Sequence, residues 1–521
     1  MDLKCIFSLA ILVSQISLSS TQNVNVVIQG AASIGETDDN LVCTTLDWWP
    51  TEKCNYNQCP WGKAGLLNLD LKKKGLINAI KDDPNMITKI QDPSYLNQVA
   101  QTYKGVLNIV NKFKPQSGAW VSESGGALHG GAKDFSPTLA DGFWYLDQLG
   151  VASTYNHKVF CRKTLIGGNY ALLNATTSIP NLDYHGALLW HRLLGSTVLA
   201  ITQESNPNLR VYAHCAKKKF NPLRIKVGGS LQDQVVYGVG GVKNCPNFMK
   251  NEDSLFGFSQ GCLPMERWDE LNKIFNQTGV KVTFGLNALL GRNRSQIEKG
   301  LWVGDWKSQN ARDFMKYTIS KGYKVDSYEF GNQLSGAGMS ASVEAEQYGK
   351  DIVVLKNLVK ELHPDPKTQP KVLGPSGYYD EKWFNSFLEV SGHDVVDGVT
   401  HHIYNLGPPG ISTIFINLSK DSSFNVTLSN YEHQSRNSRS TDVAKPEFRG
   451  SKDREEYHLA ALAGNIQGQI VLLNDVPMVP TETFDIPTME PKLVNASTPI
   501  SIAAHSIVYV TIRDFQAPAC A

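Results

Sequence analysis

Residues 325 to 336 read "VDSYEFGNQLSG", an aromatic and β-branched run that breaks off in Gly-Asn-Gln, and residues 342 to 362 read "SVEAEQYGKDIVVLKNLVKEL". A strand-length run ended by Gly and polar residues, then a helix-length amphipathic segment, is the repeating unit of a parallel α/β architecture. The alternation extends outward from here. Further strand candidates are "AWVSES" (119–124), "HKVFCRKTL" (157–165), "LRIKVGG" (223–229), "VKVTFGLNAL" (280–289), "KVLGPS" (371–376) and "VVDGVTHHIYN" (395–405), with helical partners at 94–113, 265–279 and 311–322. No Gly-x-Gly-x-x-Gly follows a first strand, so the pattern predicts a (β/α)8 barrel of the TIM type rather than a nucleotide-binding doubly wound sheet. Polar residues collect at the C-terminal ends of these runs, the face on which barrels carry chemistry.

Beyond residue 410 the texture changes to short alternating runs, among them "ISTIFINLS", "SSFNVTLS", "EEYHLAAL", "QIVLLN" and "SIVYVTIRD". They predict an attached C-terminal β-sandwich. The polar, pattern-free stretch 432–455 reads as a mobile loop.

Composition excludes several partners. Fifty Lys+Arg against 49 Asp+Glu leave a net charge of +1 on 521 residues, which gives no reason to expect nucleic acid or an acidic tail. Residues 1–22 carry one Lys, an apolar run from Cys5 to Val13 and then small polar residues, a signal-peptide pattern. Ser8, Ser14, Gln15 and Ser17 interrupt it too often for a membrane anchor, and no later segment is apolar enough to span a bilayer. The expectation is a secreted protein, extracellular, in the cell wall or in the vacuole, with peripheral association with wall or membrane left open. Without Cys5 eight cysteines remain, an even number that permits disulfides whose pairing the sequence does not give. Six Asn-x-Ser/Thr sites, at Asn174, Asn276, Asn293, Asn417, Asn425 and Asn495, are candidate glycan acceptors.

Two strand ends are candidates for chemistry. Cleaving a glycosidic bond with retention needs two carboxyls about 5 Å apart, one attacking and one donating a proton. Glu123 in "WVSESGG" sits at a strand tip with Gly125 and Gly126 beside it, although alone it reads equally well as a loop carboxylate. Gln333 ends the other run, and an amide has no proton to deliver at neutral pH. Glu329 is on the same strand face but roughly 13 Å lower, so it is expected to be a buried structural partner. In "THHIYN" the adjacent His401 and His402 point to opposite faces, which favours hydrogen bonding over a shared metal. Tyr404 follows them. "GGNY" at 167–170 is a turn that offers the Tyr170 phenol to a sugar or carboxylate.

Taken together, "TLDWWP", "CNYNQCPWG", "NPLRIKVGGSLQDQ", "RWDELN", "VTFGLNAL", "EFGNQLSG", "THHIYNLG", "WVSESGGA", "GFWYLDQLG", "LIGGNYALLN" and "GALLWHRLLGS" resemble the plant heparanase-like proteins of glycoside hydrolase family 79, whose relatives are baicalin β-glucuronidase and animal heparanase. The resemblance covers nearly the whole chain after the leader. It implies a (β/α)8 barrel with a β-sandwich, a retaining mechanism without metal or other cofactor, and β-linked glucuronic acid as the sugar, carried by a glycan or a small-molecule glucuronide. By motif Glu123 matches the nucleophile, and Gln333 falls where the family has its acid/base Glu. Asn332 matches the Asn that binds the neighbouring sugar hydroxyl. Asp47, Ser230 and Tyr170 match positions lining the glucuronate pocket, and Tyr404 a Tyr lying against the nucleophile. The glycine-rich segment through Gly130 matches the cradle of the glucuronate carboxylate, but Leu128 and His129 stand where Tyr and Asn are usual. Arg162 is followed by Lys163 where Arg-Gln is usual, so Lys163 either pairs with a carboxylate or crowds it.

The order of segments also departs from the family. The block resembling 220–409 normally precedes that resembling 82–219, with joins here at "AIK|DDPNM", "KKK|FNPLR" and "LGP|PGIST". Barrel segments are expected at 46–196 and 220–409, and sandwich segments at 23–45, 197–219 and 410–521. Native-like strand packing would then need new crossings, against the usual rule of short, unthreaded connections. Two functions follow: a β-glucuronidase impaired by Gln333, or a glycan-binding protein that has lost turnover.

Overall fold

A computed structural model describes residues 20–50, 65–67, 86–127, 130–132, 134–174, 177, 179–203, 206–217, 223–403, 413–430, 453–468, 470–480 and 487–512. Eight parallel strands close into a barrel: β1 (Val42–Asp47), β2 (Gly118–Ser124), β3 (His157–Arg162), β4 (Arg224–Gly228), β5 (Lys281–Leu286), β6 (Ser327–Phe330), β7 (Lys371–Tyr378) and β8 (Gly398–Ile403). Around the ring the order is β1-β4-β5-β6-β7-β8-β2-β3. The run β4 to β8 is consecutive, whereas β2 and β3 precede it in the chain and close the ring behind it. The exchanged blocks therefore meet in one barrel. All three joins lie outside the described residues.

Helices α1 (Ala100–Phe113), α2 (Leu139–Thr154), α3 (Leu182–Leu193), α4 (Met265–Thr278), α5 (Gln309–Ser320), α6 (Ala345–Leu362) and α7 (Glu381–Ser391) are built alongside the barrel strands. Most follow from local sequence. In α6 the buried Tyr348, Ile352, Leu355 and Val359 recur at helical spacing and pack into the barrel core. Gly279 takes the left-handed conformation that ends α4. Asp380 caps α7 by accepting from Trp383 N–H at 2.8 Å. Helix α2 is different. It is buried almost throughout, between β3 and the sheet described next, so it has no polar stripe for a periodicity search to find.

An eleven-stranded sheet makes the second part: Ser20–Glu36, Leu194–Gln203, Leu209–Ala216, Thr413–Asn417, Ser422–Asn430, Asp453–Ala461, Val471–Leu473, Val476–Pro477, Lys492–Asn495, Ile500–Ile502 and Ser506–Thr511. Strands from distant parts of its path share one apolar cluster, with Val24, Val26, Phe415, Phe424, Ile500 and Val508, so the sheet folds over itself as a sandwich. Period-two alternation gives one layer two tasks. Phe415 faces that cluster, while its neighbours Ile414 and Ile416 pack with Phe143 and Trp144 of α2. Tyr509 ties the sandwich to α3 as well, donating to Gly186 O at 2.9 Å.

Several boundaries differ from expectation. Val42–Thr45 belong to a barrel strand rather than the sandwich, because β1 pairs with both β3 and β4 and completes the ring. Asp453–Glu455 lie in a strand, not in the loop expected over 432–455, most of which is outside the described residues. Ser20–Gln22 of the expected leader pair with Ser422–Phe424, and residues 1–19 are outside the described residues. A disulfide between Cys43 and Cys161 ties β1 to β3, a second joins Cys245 to Cys262, and Cys215 is also disulfide-bonded. Of the candidate glycan sites, Asn174, Asn276, Asn293 and Asn495 are exposed and Asn425 is half-buried. Asn417 is a correction: it is fully buried and its amide donates to Ser422 O at 2.7 Å and Ala503 O at 2.8 Å, which leaves no room for a sugar.

Candidate active site

Glu123 is the next-to-last residue of β2 and is fully buried. Three residues past β6, the chain turns through Gly331 and places Gln333 across the barrel mouth from it, with β7 and β8 between their strands. The turn is strained at Gln333 itself, whose φ of 58° is rare for a residue with a side chain. It is held there by a bond from Gln333 N–H to Ser376 O at 2.6 Å and by Asp233, which accepts from Asn332 N–H and Ala288 N–H at 2.8 and 2.7 Å. The result is that Gln333 Nε2 donates to Glu123 Oε2 at 3.3 Å. In a retaining pair the two carboxyls stand about 5 Å apart with the sugar between them. Here an amide–carboxylate hydrogen bond bridges that gap.

Both oxygens of Glu123 have partners. Oε1 is paired with the Lys163 ammonium, whose Nζ is also 3.4 Å from Asp47 Oδ2 at the end of β1. Lys163 is brought there by its own N–H, which donates to Ser124 O at 2.7 Å just past Glu123. His402 Nδ1 lies 3.0 Å from Oε2 and 3.0 Å from Gln333 Nε2, and its Nε2 is 3.0 Å from Ser376 Oγ. Below this layer Lys226 pairs with Glu329 at 2.7 Å and donates to Ser376 Oγ at 2.9 Å. Glu329 is thus a buried partner in the barrel, as its depth implied. His401 points the other way and meets His157, Nε2 to Nε2, at 2.9 Å.

Electrostatics follow from this geometry. Burial pushes the Glu123 carboxyl upward, but the adjacent Lys163 ammonium, helped by His402, more than reverses the shift and holds it well below the usual carboxylate range. Asp47 is raised by burial, only partly offset by Lys163. Burial lowers His402 from its ordinary value, partly offset by the Glu123 carboxylate beside it. Asp233, raised by burial to about 7, bears on stability. The unfolded carboxyl ionises near pH 4 and the folded one near 7, so between those values the unfolded state binds fewer protons and this group's contribution falls as pH rises. The melting-temperature advantage of the parent over Asp233→Asn should therefore be larger at pH 4.5 than at pH 8, and an advantage independent of pH would remove Asp233 as its source.

The remaining candidates divide. Tyr170 is buried beside Gly131, where an added Cβ would come within 2.9 Å of the ring, and its carbonyl accepts from Arg162 Nε at 3.1 Å. Gly130 O accepts from Asn169 N–H at 2.8 Å, which links the segment after Glu123 to the "GGNY" turn. Ser230 is half-buried just past β4, next to Gly229, which packs against Asp47. Tyr404, Leu128 and His129 lie outside the described residues. Sequence reasoning gave no role to Asp233, Ser376 or Lys226. For Lys226 a signal existed: Arg224 and Lys226 alternate within an apolar strand, which marks a charged face inside a barrel. A cavity of about 500 Å³ lies at the opposite end of the barrel, beside Trp120 and Lys371, and none of the candidate residues line it.

The model of the N-terminal domain of glycosyl hydrolase family 79 matches residues 23–82, 81–150 and 197–442, and its first two pieces meet at the first of the joins. Heparanase-like protein 2 of Arabidopsis thaliana is 29% identical over 96% of each chain. Baicalin-beta-D-glucuronidase of Scutellaria baicalensis is 26% identical over 72% of this chain and 47% of its own length. Among solved structures, the catalytic domain of a GH30 xylanase C from Talaromyces cellulolyticus aligns with 56% of this chain and 88% of its own at 9% identity and a TM-score of 0.30.

Proposed function

This chain belongs to glycosyl hydrolase family 79, and from that premise we propose that it is a secreted protein whose barrel mouth receives a β-linked glucuronic acid and cleaves it slowly with retention. The observation that carries this is the apposition of Glu123 and Gln333, from blocks exchanged in sequence, at 3.3 Å on the C-terminal face. Glu123 is the nucleophile, and its low proton affinity keeps it ionised. Gln333 occupies the proton donor's position and orients Glu123 without donating to a leaving group. Asn332, Asp47, Ser230, Tyr170, Gly130 and Lys163 are assigned to the surrounding pocket, and the family resemblance adds Tyr404. Among the described residues no helix is long and apolar enough to cross a membrane. The leader-like residues 1–22, the disulfides and the exposed sequons support export.

A second reading, a glycan-binding protein without turnover, is favoured by the same amide. One paired assay separates them. The purified protein and Glu123→Gln are compared for nitrophenol release from an aryl β-glucuronide and for thermal stabilisation by glucuronic acid against glucose. Slow release that Glu123→Gln abolishes is expected, with stabilisation by glucuronic acid only. Stabilisation without release supports the binding reading, and release unaffected by Glu123→Gln removes Glu123 as nucleophile.

A further inference from the structure

We propose that Lys163 is a built-in counter-ion that withholds Glu123 from reaction, so that the site is silenced at its nucleophile independently of the amide at position 333. The inference rests on the glucuronide reading and deepens it. Three observations carry it. Lys163 holds Glu123 Oε1, while Oε2 is already engaged by His402 and Gln333, so neither oxygen is unpartnered. The ammonium sits between two carboxylates, Glu123 and Asp47, all three side chains being no more than 5% exposed. The Lys163 backbone is tied to Ser124 O, so its stem starts beside the strand end that carries Glu123.

A carboxylate in that position attacks only after leaving its ammonium, and separating a buried ion pair is costly because neither charge regains water. An oxygen whose electron pair faces a cation is also a weaker nucleophile. No similar demand falls on Lys226, which is matched to Glu329 and Ser376 a layer below. Lys163 therefore acts through Glu123 as a positioning residue. It is a second block on turnover, added to the missing proton donor.

The test takes position 333 out of the measurement. With 2-deoxy-2-fluoro-β-glucuronosyl fluoride, the bond from Glu123 Oε to C1 forms as the C1–F bond breaks. The electron pair leaves on fluoride, so no proton donor is needed, and the fluorine at C2 slows release of the adduct. Intact-mass spectrometry follows the adduct in the full chain, and peptide mapping locates it. Lys163→Gln should label at Glu123 at least tenfold faster than the parent. Lys163→Arg, which keeps the charge, should stay as slow as the parent, an outcome that general loosening of the pocket would not give.

Equal labelling of parent and Lys163→Gln overturns the proposal and leaves the glycosidase reading intact. If Lys163→Gln lacks a cooperative melt, Asp47→Asn/Lys163→Gln, which removes one buried carboxylate with the ammonium, is used under the same criterion. Folded variants that bind glucuronic acid but never label overturn the counter-ion role alone. Variants that neither bind nor label overturn it together with the glucuronide reading.

Discussion

Arg162→Ala should destabilise the protein by about 3–5 kcal/mol, the usual cost of removing one partner from a buried charge cluster. Arg162 ends β3 with its side chain fully buried. Its guanidinium binds Asp141 of α2 and, at 2.8 Å, Asp183 of α3, and lies 5.0 Å from the ring centroids of both Trp144 and Tyr145. Burial already raises both carboxyls, Asp183 to about 7, even with the cation beside them. Without Arg162 they must take up protons or remain charged and unpaired. Arg162→Lys should recover little, since one ammonium on a shorter reach does not replace a planar fork that also donates to Tyr170 O. Urea unfolding measures the loss, and a change below about 1 kcal/mol for Arg162→Ala would show that the cluster is not what fixes β3 to its helices. Because Lys163 follows directly, the same cluster sets where the counter-ion of Glu123 begins.

Much of the barrel was legible because its strands announce themselves. Seven of the eight are short apolar runs ending in polar or Gly residues, and α1, α4, α5 and α6 have apolar positions at helical spacing. The eighth, β1, reads "VCTTLD", too short and too polar to stand out, although it is fully buried inside the ring. Helix α2 was missed for a different reason: it is buried nearly all round, Asp141, Asp147 and Gln148 included, so no exposed polar stripe sets off an apolar one. The opposite facing of His401 and His402 was legible from strand alternation alone, as was the depth of Glu329. The Lys163–Glu123 pair was not. It depends on neighbouring strand ends, 40 residues apart in sequence, meeting at one register that no local pattern encodes. Nor does local pattern give the ring order, in which β2 and β3 close behind β8 despite preceding β4 in the chain.

The central claim is that position 333 is the proton donor's place and stands opposite the nucleophile. Gln333→Glu should raise turnover of an alkyl β-glucuronide by about 100-fold or more over the parent, within the 100- to 10,000-fold range that a general acid contributes. Glu123 Oε2, 3.3 Å from the present amide nitrogen, would raise the proton affinity of the new carboxyl by like-charge repulsion, which suits it to act as an acid. The Lys163 pair is common to parent and variant, so it lowers both rates and leaves their ratio readable. An alkyl leaving group is the stringent substrate, because nitrophenolate departs with little protonation. The deciding measurement is that ratio, taken on the alkyl glucuronide with Glu123→Gln/Gln333→Glu as the blank. A rise of two orders of magnitude that vanishes in the blank is the expected result. Equal rates for parent and Gln333→Glu, in protein that still binds glucuronic acid, would contradict the assignment of position 333.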